Sequence, residues 1–298
     1  MRDLSQYTKG IIITALGVLI VSPDGLLTRL IQVDYWTLIF WRALLLAFGM
    51  WLIASLFYPN KTWQKYKSLG LPGTAMALIY SMGTISFVTA LTHTSVANTL
   101  IILSTTPLFA ALIGRIFLGE PIVPRLWAAI LLVGIGVSVI STDGESQNSS
   151  LFGDLAAMAG AFFLAAGFTM VRRFPGIPVF PAISTSGLVT ALIVLPLAQP
   201  FSVSQQDMGY LIIMGVYMLP VATALMFLGP KYIPAAEVGL MLLLESVLGP
   251  TWVWLALDEQ PGVRTFIGGA IILTTLAVNT IWAMKSSRRT RQATLAPG

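Results

Sequence analysis

Long apolar runs alternate with short polar connections along the whole chain. A helix that crosses the hydrocarbon core of a bilayer needs about 20 mostly apolar residues, and runs of about that length recur throughout the sequence. The pattern predicts ten membrane-spanning helices, at residues 10–31, 35–57, 70–91, 95–118, 124–141, 151–171, 179–199, 208–228, 234–257 and 263–284. Because the connections are short, we expect an all-α membrane protein without an extramembrane domain.

The first apolar run follows Lys9 and has the general form of a signal peptide. It lacks a small-residue cleavage site, however, and similar runs follow it to the end of the chain. We therefore expect it to remain in the protein as the first span.

Two segments, residues 90–126 and 229–265, resemble each other at a separation of 139 residues. Both are apolar runs that end in an acidic, proline-containing turn. The shift pairs these polar residues: Asn98 with Glu237, Thr106 with Glu245, Glu120 with Glu259 and Arg125 with Arg264. A duplicated membrane module is typical of transporters, because two related halves can rock about a site between them.

The distribution of Lys and Arg predicts the orientation. The chain has 17 such residues. Arg42 and Arg115 lie within spans, and Arg29 and Arg264 are assigned to the side opposite the termini. The remaining 13 fall on the side that carries both termini, so this side is predicted to be cytoplasmic. Each half has an odd number of spans, so the second half must be inverted relative to the first.

We therefore divide the chain into a first five-helix repeat, residues 1–142, and a second, inverted five-helix repeat, residues 143–298, which ends in a basic cytoplasmic tail. The net charge of +5 does not indicate nucleic-acid binding, because the tail is placed to meet anionic lipid head groups.

Composition agrees with a membrane protein and excludes several chemistries. The chain is 56% hydrophobic and 10% charged, whereas soluble domains carry about 25% charged residues. It has no cysteine and one histidine, which excludes disulfides, Cys-ligated metals and a His-rich metal site. We expect neither a metal nor a cofactor, and the chain carries no nucleotide-binding motif.

The twin turns LGEPIVPR and LDEQPGVR, the strings SVANTLIILSTTPLFAAL and AAEVGLMLLLESVLGP, and the paired arginines after the sixth span resemble the drug/metabolite transporter superfamily, in particular its EamA-type carriers. This resemblance implies a central cavity lined by spans 1, 3, 4, 6, 8 and 9, with spans 5 and 10 outside. Such carriers export amino acids and other small metabolites, and some import vitamins or precursors. The resemblance also implies a multi-pass protein of a bacterial inner membrane.

Asp24 is the first candidate for a substrate or coupling group. A carboxylate within a span is costly and usually faces a cavity or a partner. Pro23 and Gly25 flank it and are expected to loosen the helix. One interpretation is a site for a substrate amine or a proton. The alternatives are a structural partner for Arg29 or Arg42, and a first span that ends early.

Glu245 interrupts the apolar run of span 9 near its middle, and Glu237 lies about two turns earlier. Both are candidate coupling or substrate groups, and the alternative for Glu245 is membership of an ion pair. Glu237 has the alternative of an interfacial carboxylate at a helix start. The repeat places Asn98 and Thr106 opposite them, and such an asymmetric polar site suits a zwitterion or a polar metabolite.

The remaining candidates are Tyr80 and Thr84 in span 3, Phe163 in span 6 and Tyr217 in span 8. For each aromatic residue the alternative is packing against lipid or against another helix. The paired residues of the twin turns, Glu120 with Arg125 and Glu259 with Arg264, are expected to form ion pairs that shape the turns or act as gates.

These features predict a secondary transporter that works by alternating access, with export of amino acids or related metabolites as the favoured activity. Proton coupling through Asp24 or Glu245 is a further hypothesis, with facilitated diffusion and exchange as its alternatives. The other functional alternatives are an uptake carrier for a vitamin, nucleoside-like or quaternary amine compound, a channel or non-transporting receptor, and an intramembrane enzyme. The enzyme is disfavoured because His93 and Ser95 lack an oxyanion motif and catalysis does not need inverted halves.

Overall fold

The computed structural model describes residues 6–93, 99, 102–103, 105–122, 124–141, 151–257 and 263–295. The regular elements in these ranges are all helical. They are α1 (Gln6–Val21), α2 (Asp24–Leu30), α3 (Tyr35–Phe57), α4 (Thr62–Lys67), α5 (Gly70–His93), α6 (Thr106–Leu118), α7 (Pro124–Ser141), α8 (Leu151–Arg173), α9 (Val179–Val194), α10 (Gln205–Ile212), α11 (Leu219–Leu228), α12 (Ala235–Leu242), α13 (Glu245–Leu257) and α14 (Val263–Leu295).

The helices occupy all ten predicted spans, and α4 lies between spans 2 and 3. Span 1 is divided into α1 and α2, and span 9 into α12 and α13. Span 8 comprises α10, a π-helical segment at Ile213–Met218 and α11, with a short 3₁₀ turn, Gly229–Lys231, after it. The prediction of an all-α protein is confirmed.

Within the described ranges, five segments are long and apolar enough to cross a membrane: Gln6–Thr28, Tyr35–Phe57, Gly70–Ala90, Leu151–Arg173 and Gln205–Lys231. Shorter apolar helices lie at Thr106–Leu118, Pro124–Gly136, Val179–Val194 and Phe266–Asn279. Apolar side chains cover much of the outer surface, as expected where lipid is the solvent.

Packing between the helices has the symmetry of the repeat. The main pairs across the two halves include α5 with α8, α1 with α11, α3 with α9, α7 with α14, and α6 with α12. Numbered by span, these five are 3 with 6, 8 with 1, 2 with 7, 5 with 10, and 4 with 9. Exchanging each span for its counterpart in the other half leaves these five pairs unchanged. Two further pairs, α5 with α9 and α6 with α8, are spans 3 with 7 and 4 with 6, and their counterparts, 8 with 2 and 9 with 1, are also in contact. A pseudo-two-fold relation between two five-helix halves accounts for that invariance.

Small residues allow the closest of these helix contacts. A Cβ atom at Gly187 in α9 would lie 2.5 Å from the Ala43 carbonyl oxygen of α3. One at Gly136 in α7 would lie 2.8 Å from Ile272 and 2.9 Å from the Gly268 carbonyl oxygen, both in α14. Both positions therefore need glycine for two backbones to approach each other.

One side of the helical bundle carries most of the described basic residues, and we call it the basic side. Its members are Lys9, Lys61, Lys65, Lys67, Arg125, Arg172, Arg173 and Lys231. The ammonium of Lys9 lies 4.8 Å from the centroid of the Tyr232 ring, which links the start of span 1 to the connection between spans 8 and 9.

Candidate functional site

Span 1 is broken at Ser22 and Pro23. Pro23 has no N–H group, so the Leu19 carbonyl loses its usual helical partner. The Ser22 hydroxyl replaces that partner by donating to the Leu19 oxygen at 2.8 Å. The indole N–H of Trp252 in α13 donates in turn to the Ser22 oxygen at 2.7 Å. Span 9 therefore holds the break in span 1 through a side chain.

Span 9 is broken at Leu243 and Leu244, immediately before Glu245. The amide groups of Leu243 and Leu244 donate to the carbonyl groups of Leu240 and Met241, at 3.2 and 3.1 Å. These are i to i−3 bonds, which tighten the last turn of α12 and end it. Glu245 then begins α13, so its carboxylate lies at a helix N-terminus, where the helix dipole favours negative charge.

Span 4 has the corresponding break. The Thr105 amide donates to the Ile102 carbonyl at 3.0 Å, and Thr106 begins α6. The Thr106 hydroxyl donates to the Leu103 carbonyl at 2.7 Å. Shifted by 139 residues, the bond from Thr105 to Ile102 becomes the bond from Leu244 to Met241. The two halves thus break their fourth helix at the same place.

Asp24 begins α2, directly after the break in span 1, and pairs with Arg42 of span 2. The Asp24 Oδ2 atom lies 2.9 Å from Arg42 Nη2. The other terminal nitrogen, Nη1, donates to the Thr28 hydroxyl at 3.0 Å and lies 3.5 Å from the Met214 sulfur. Asp24 therefore contacts Arg42, one of the structural partners that the sequence allows for it.

Glu245 and Tyr80 complete this group, which we call the central cluster: Asp24, Thr28, Arg42, Tyr80 and Glu245. Glu245 is close enough to Asp24 and Arg42 for their charges to interact. Tyr80 is similarly close to Arg42, and its ring packs edge-on against Phe227, with 5.2 Å between centroids. The cluster joins spans 1, 2, 3 and 9, where both halves of the chain meet.

The charges of the central cluster do not balance. Two carboxylates, Asp24 and Glu245, face one guanidinium, Arg42, among the side chains that the structure describes. The second Asp24 oxygen, Oδ1, is buried and has no hydrogen-bond partner. Within the described ranges, no three His, Asp or Glu side chains converge as metal ligands would. The cluster has the chemistry to accept a proton or an organic cation.

The other predicted site residues lie around the cluster or away from it. The Thr84 hydroxyl donates to the Tyr80 carbonyl at 3.0 Å, one turn away on α5. Phe163 is half-buried beside Phe162, with ring centroids 5.6 Å apart. Tyr217 lies on the π-helical segment with 66% of its surface exposed, so it is not brought to the cluster. Asn98 lies outside the described residues.

Glu237 belongs to a second group, the basic-side cluster: Tyr7, Glu120, Arg125, Arg172 and Glu237. The Glu237 side chain lies in the first turn of α12 and is 4% exposed. Its Oε1 atom is 2.8 Å from Arg125 Nη2, and its Oε2 atom accepts a hydrogen bond from the Tyr7 hydroxyl. Glu237 thus lies at a helix start, as the alternative from the sequence expected, and it also forms an ion pair there.

Arg172 is the other centre of the basic-side cluster. It forms an ion pair with Glu120 and donates to the carbonyl groups of Pro230 and Ile233, at 3.2 and 3.1 Å. The predicted pair between Glu120 and Arg125 is wrong, because Glu120 pairs with Arg172 of α8 and Arg125 pairs with Glu237 of α12. Glu259, the counterpart of Glu120, lies outside the described residues.

Comparison with known proteins places this arrangement in a family. The EamA-like transporter family model matches residues 8–142 and 151–281, which is most of both halves. The chain belongs to the EamA-like transporter family. It is therefore a membrane transporter of small molecules, and the resemblance seen in the sequence is confirmed.

Solved structures resemble this EamA-like transporter in fold. In total, 29 chains match, and one crystal structure of a protein does so with a TM-score of 0.78 at 18% identity, covering 93% of this chain and 98% of the other. At that identity the likeness shows the fold alone. A comparison with curated protein sequences finds no significant match.

Several members of the two clusters were not among the predicted site residues of this EamA-like transporter. Arg42 was expected to be structural, and Tyr7 and Thr28 were not singled out, nor was Ser22 at the break in span 1. Arg42 could have been recognised in the sequence as a site residue, since an arginine inside a span needs a partner. Tyr7 and Ser22 carried no such signal, because tyrosine and serine near a helix end or a proline are common in any membrane protein.

Proposed function

We propose that this protein is a secondary carrier that works by alternating access and binds its substrate at the central cluster. The observation that carries the proposal is the meeting of Asp24 and Glu245, each placed at a helix break, with the guanidinium of Arg42. Broken helices near the middle of the membrane are where secondary transporters form substrate and coupling sites.

The charges favour a substrate that carries an amine. Among the described side chains, two carboxylates against one guanidinium leave one negative charge to be neutralised, and isolated charge within a membrane is costly. An ammonium group would supply that charge and donate to the Asp24 Oδ1 atom. A simple zwitterion has no net charge and would leave the imbalance, whereas an amino acid with a second amino group carries one net positive charge. The charges therefore support an amino acid with a basic side chain or a related amine.

Proton coupling uses the same charges. When the substrate leaves, a proton on Asp24 or Glu245 would restore neutrality, so substrate and proton would occupy the cluster in turn. Such exchange would drive export of the substrate from the cytoplasm against an inward proton flow. In this proposal the protein lies in a bacterial inner membrane, with both termini and the basic side in the cytoplasm.

The basic-side cluster supplies the gate of this cycle. Tyr7 and Arg125 from the first half hold Glu237 of the second, and Glu120 of the first half holds Arg172 of the second. Since each of these ion pairs and hydrogen bonds joins the two halves, the cytoplasmic entrance can open only when these bonds break. Their release would be the step that admits substrate for export.

Counterflow in proteoliposomes tests the proposal. Vesicles preloaded with unlabelled amino acids, vitamins, nucleosides or quaternary amines would be screened for uptake of the labelled compound, with and without a pH gradient. We expect saturable counterflow of an amino acid, driven by the pH gradient and lost in Glu245→Gln and Asp24→Asn. The matched control is Asp154→Asn, which removes a carboxylate that is not a member of either cluster.

The outcomes separate the alternatives. Uptake of a vitamin, nucleoside or quaternary amine, with amino acids inert, would favour the uptake carrier. Flux that neither saturates nor shows counterflow would indicate a channel. If Glu245→Gln and Asp24→Asn both leave transport and its pH response unchanged, the central cluster is not the site.

A further inference from the structure

An apolar groove lies on the outside of the bundle, away from both clusters. It runs between α3, α4 and α9 and has a volume of about 830 Å³. Its walls include Phe48 and Trp51, whose rings stack at a centroid distance of 5.8 Å, and Leu188 of α9. All three side chains are between 46% and 49% exposed, so the groove opens to the lipid.

The serine and threonine side chains of the groove direct their hydrogens away from it. These four hydroxyl groups donate to nearby backbone carbonyl groups: Ser55 to Trp51 at 2.9 Å, Thr62 to Tyr58 at 3.0 Å, Ser184 to Ala47 at 2.8 Å and Thr185 to Pro181 at 2.9 Å. With these donors satisfied, the groove presents an apolar surface that suits a hydrocarbon chain.

One end of the groove is positively charged. Thr62, Trp63 and Tyr66 of α4 line it, and Lys61, Lys65 and Lys67 lie on or beside the same short helix. The ammonium groups of Lys65 and Lys67 lie over the rings of Tyr58 and Trp63, at 5.2 and 5.9 Å from the centroids.

No carboxylate neutralises this end. The sequence contains no Asp or Glu between Asp34 and Glu120, and none of the three lysines forms an ion pair in the part of the chain that the structure describes. Three unpaired cations beside an exposed tryptophan mark the level of the lipid head groups.

Tyr66 lies where the charged end meets the apolar groove. Its hydroxyl is buried within reach of Ser184 and makes no hydrogen bond of normal geometry with the described residues. Burial raises the pKa of the Tyr66 phenol above its usual value, so the hydroxyl keeps its proton and remains a donor. A buried donor without a partner is costly, and a ligand oxygen would satisfy it.

We propose that this groove binds an anionic phospholipid. One acyl chain would lie along α3 and α9, the phosphate would meet Lys61, Lys65 and Lys67, and an ester or phosphate oxygen would accept the Tyr66 hydrogen bond. A second copy of the chain fits less well, because a symmetric contact through this face would bring two sets of three lysines together.

Native mass spectrometry of the full chain, with phosphatidylglycerol or phosphatidylcholine added in equal amounts, tests this proposal. We expect one retained phosphatidylglycerol per protein and little phosphatidylcholine. Lys61→Gln/Lys65→Gln/Lys67→Gln is expected to weaken phosphatidylglycerol binding at least about tenfold. Tyr66→Phe is expected to weaken it about threefold while keeping the ring.

The matched control is Lys285→Gln/Arg288→Gln/Arg289→Gln, which removes three charges from the basic tail. The tail is expected to meet head groups only non-specifically, so retention of the single bound lipid should be unchanged. Leu188→Trp, which fills the groove without changing charge, is expected to reduce binding of phosphatidylglycerol. Thermal unfolding in detergent checks that each variant remains folded.

Three results would overturn the proposal. Equal retention of the two lipids would leave only a non-specific apolar groove. An equal loss in the tail variant would mean that any cationic segment on the basic side attracts the lipid. Dimers that Leu188→Trp dissociates would assign the groove to a second copy of the chain. Because lipid binding is measured without transport, it can fail or succeed independently of the carrier function.

Discussion

Thr106 and Glu245 lie 139 residues apart, and each begins a 13-residue helix immediately after a break in the fourth helix of its half. The backbone hydrogen bond before each break is the same at that shift. The two side chains have different partners. The Thr106 hydroxyl donates to the Leu103 carbonyl of its own span, whereas Glu245 interacts with Asp24 and Arg42 of the other half. The repeat conserves the break, and the second half adds the charge.

The repeat itself provides a substitution that tests the role of Glu245. In Glu245→Thr the second half receives the residue that begins the same helix in the first half, so the break should persist. We expect the thermal unfolding temperature to stay within about 4 °C of the parent protein and counterflow to be lost. Transport that survives this change would show that the carboxylate is not needed.

The ion pair of Asp24 with Arg42 is predicted to contribute to stability as a unit. Asp24→Asn and Arg42→Gln each leave a partly buried charge without its partner and should each destabilise the protein by about 2–3 kcal/mol. The double variant should be less destabilised than the sum of the two. A double-mutant cycle in reversible denaturation would measure the coupling, and additive effects would contradict the pairing.

The basic-side cluster is predicted to close the entrance to the site. The natural chain has no cysteine, so a single Ala236→Cys substitution, at a residue 3% exposed, offers one thiol for labelling. Adding Arg125→Gln removes a charge-assisted bond to Glu237 and should speed labelling from the basic side about tenfold.

Arg173→Gln is the control for that experiment. Its guanidinium lies over the Phe174 ring, 5.6 Å from the centroid, and is not a member of the cluster. Labelling should therefore stay at the parent rate. Equal labelling of the Arg125→Gln and Arg173→Gln variants would remove the basis for a gate at Glu237.

Ser22 and Trp252 are predicted to stabilise the break in span 1 together. Ser22→Ala removes both the donor to the Leu19 carbonyl and the acceptor for Trp252, while Trp252→Phe removes the indole N–H and part of the ring. We expect each change to destabilise the protein by about 1–3 kcal/mol. Once Ser22 is alanine, Trp252→Phe should cost less free energy of unfolding than it does in the parent protein, because only its packing contribution remains to be lost.

Two glycines on α7 are predicted to respond oppositely to alanine. Gly136→Ala places a methyl group 2.8 Å from Ile272 of α14 and should destabilise the protein by about 1–3 kcal/mol. Gly134→Ala meets nothing within 4 Å and should be neutral or slightly stabilising, because alanine favours the helix. Equal unfolding temperatures for the two variants would contradict the close approach of α7 to α14.

The sequence predicted much of the architecture and part of the site. Hydrophobic runs give the spans, because each must satisfy its backbone within lipid. Asp24 and Glu245 stand out because carboxylates in such runs are costly. Pro23 indicated the break in span 1, but nothing at Leu243 and Leu244 marked the break in span 9. That break consists of shortened hydrogen bonds between apolar residues.

The sequence by itself determined the helical class, the number of spans and the internal repeat, since each follows from the length, apolarity and similarity of local segments. Only the tertiary structure decided the partners. Glu120 forms an ion pair with Arg172 rather than with nearby Arg125. Arg125 pairs with Glu237, and Asp24 pairs with Arg42. A charge in a low-dielectric interior pairs with whatever the packing of helices brings near, and separation along the chain does not specify that choice.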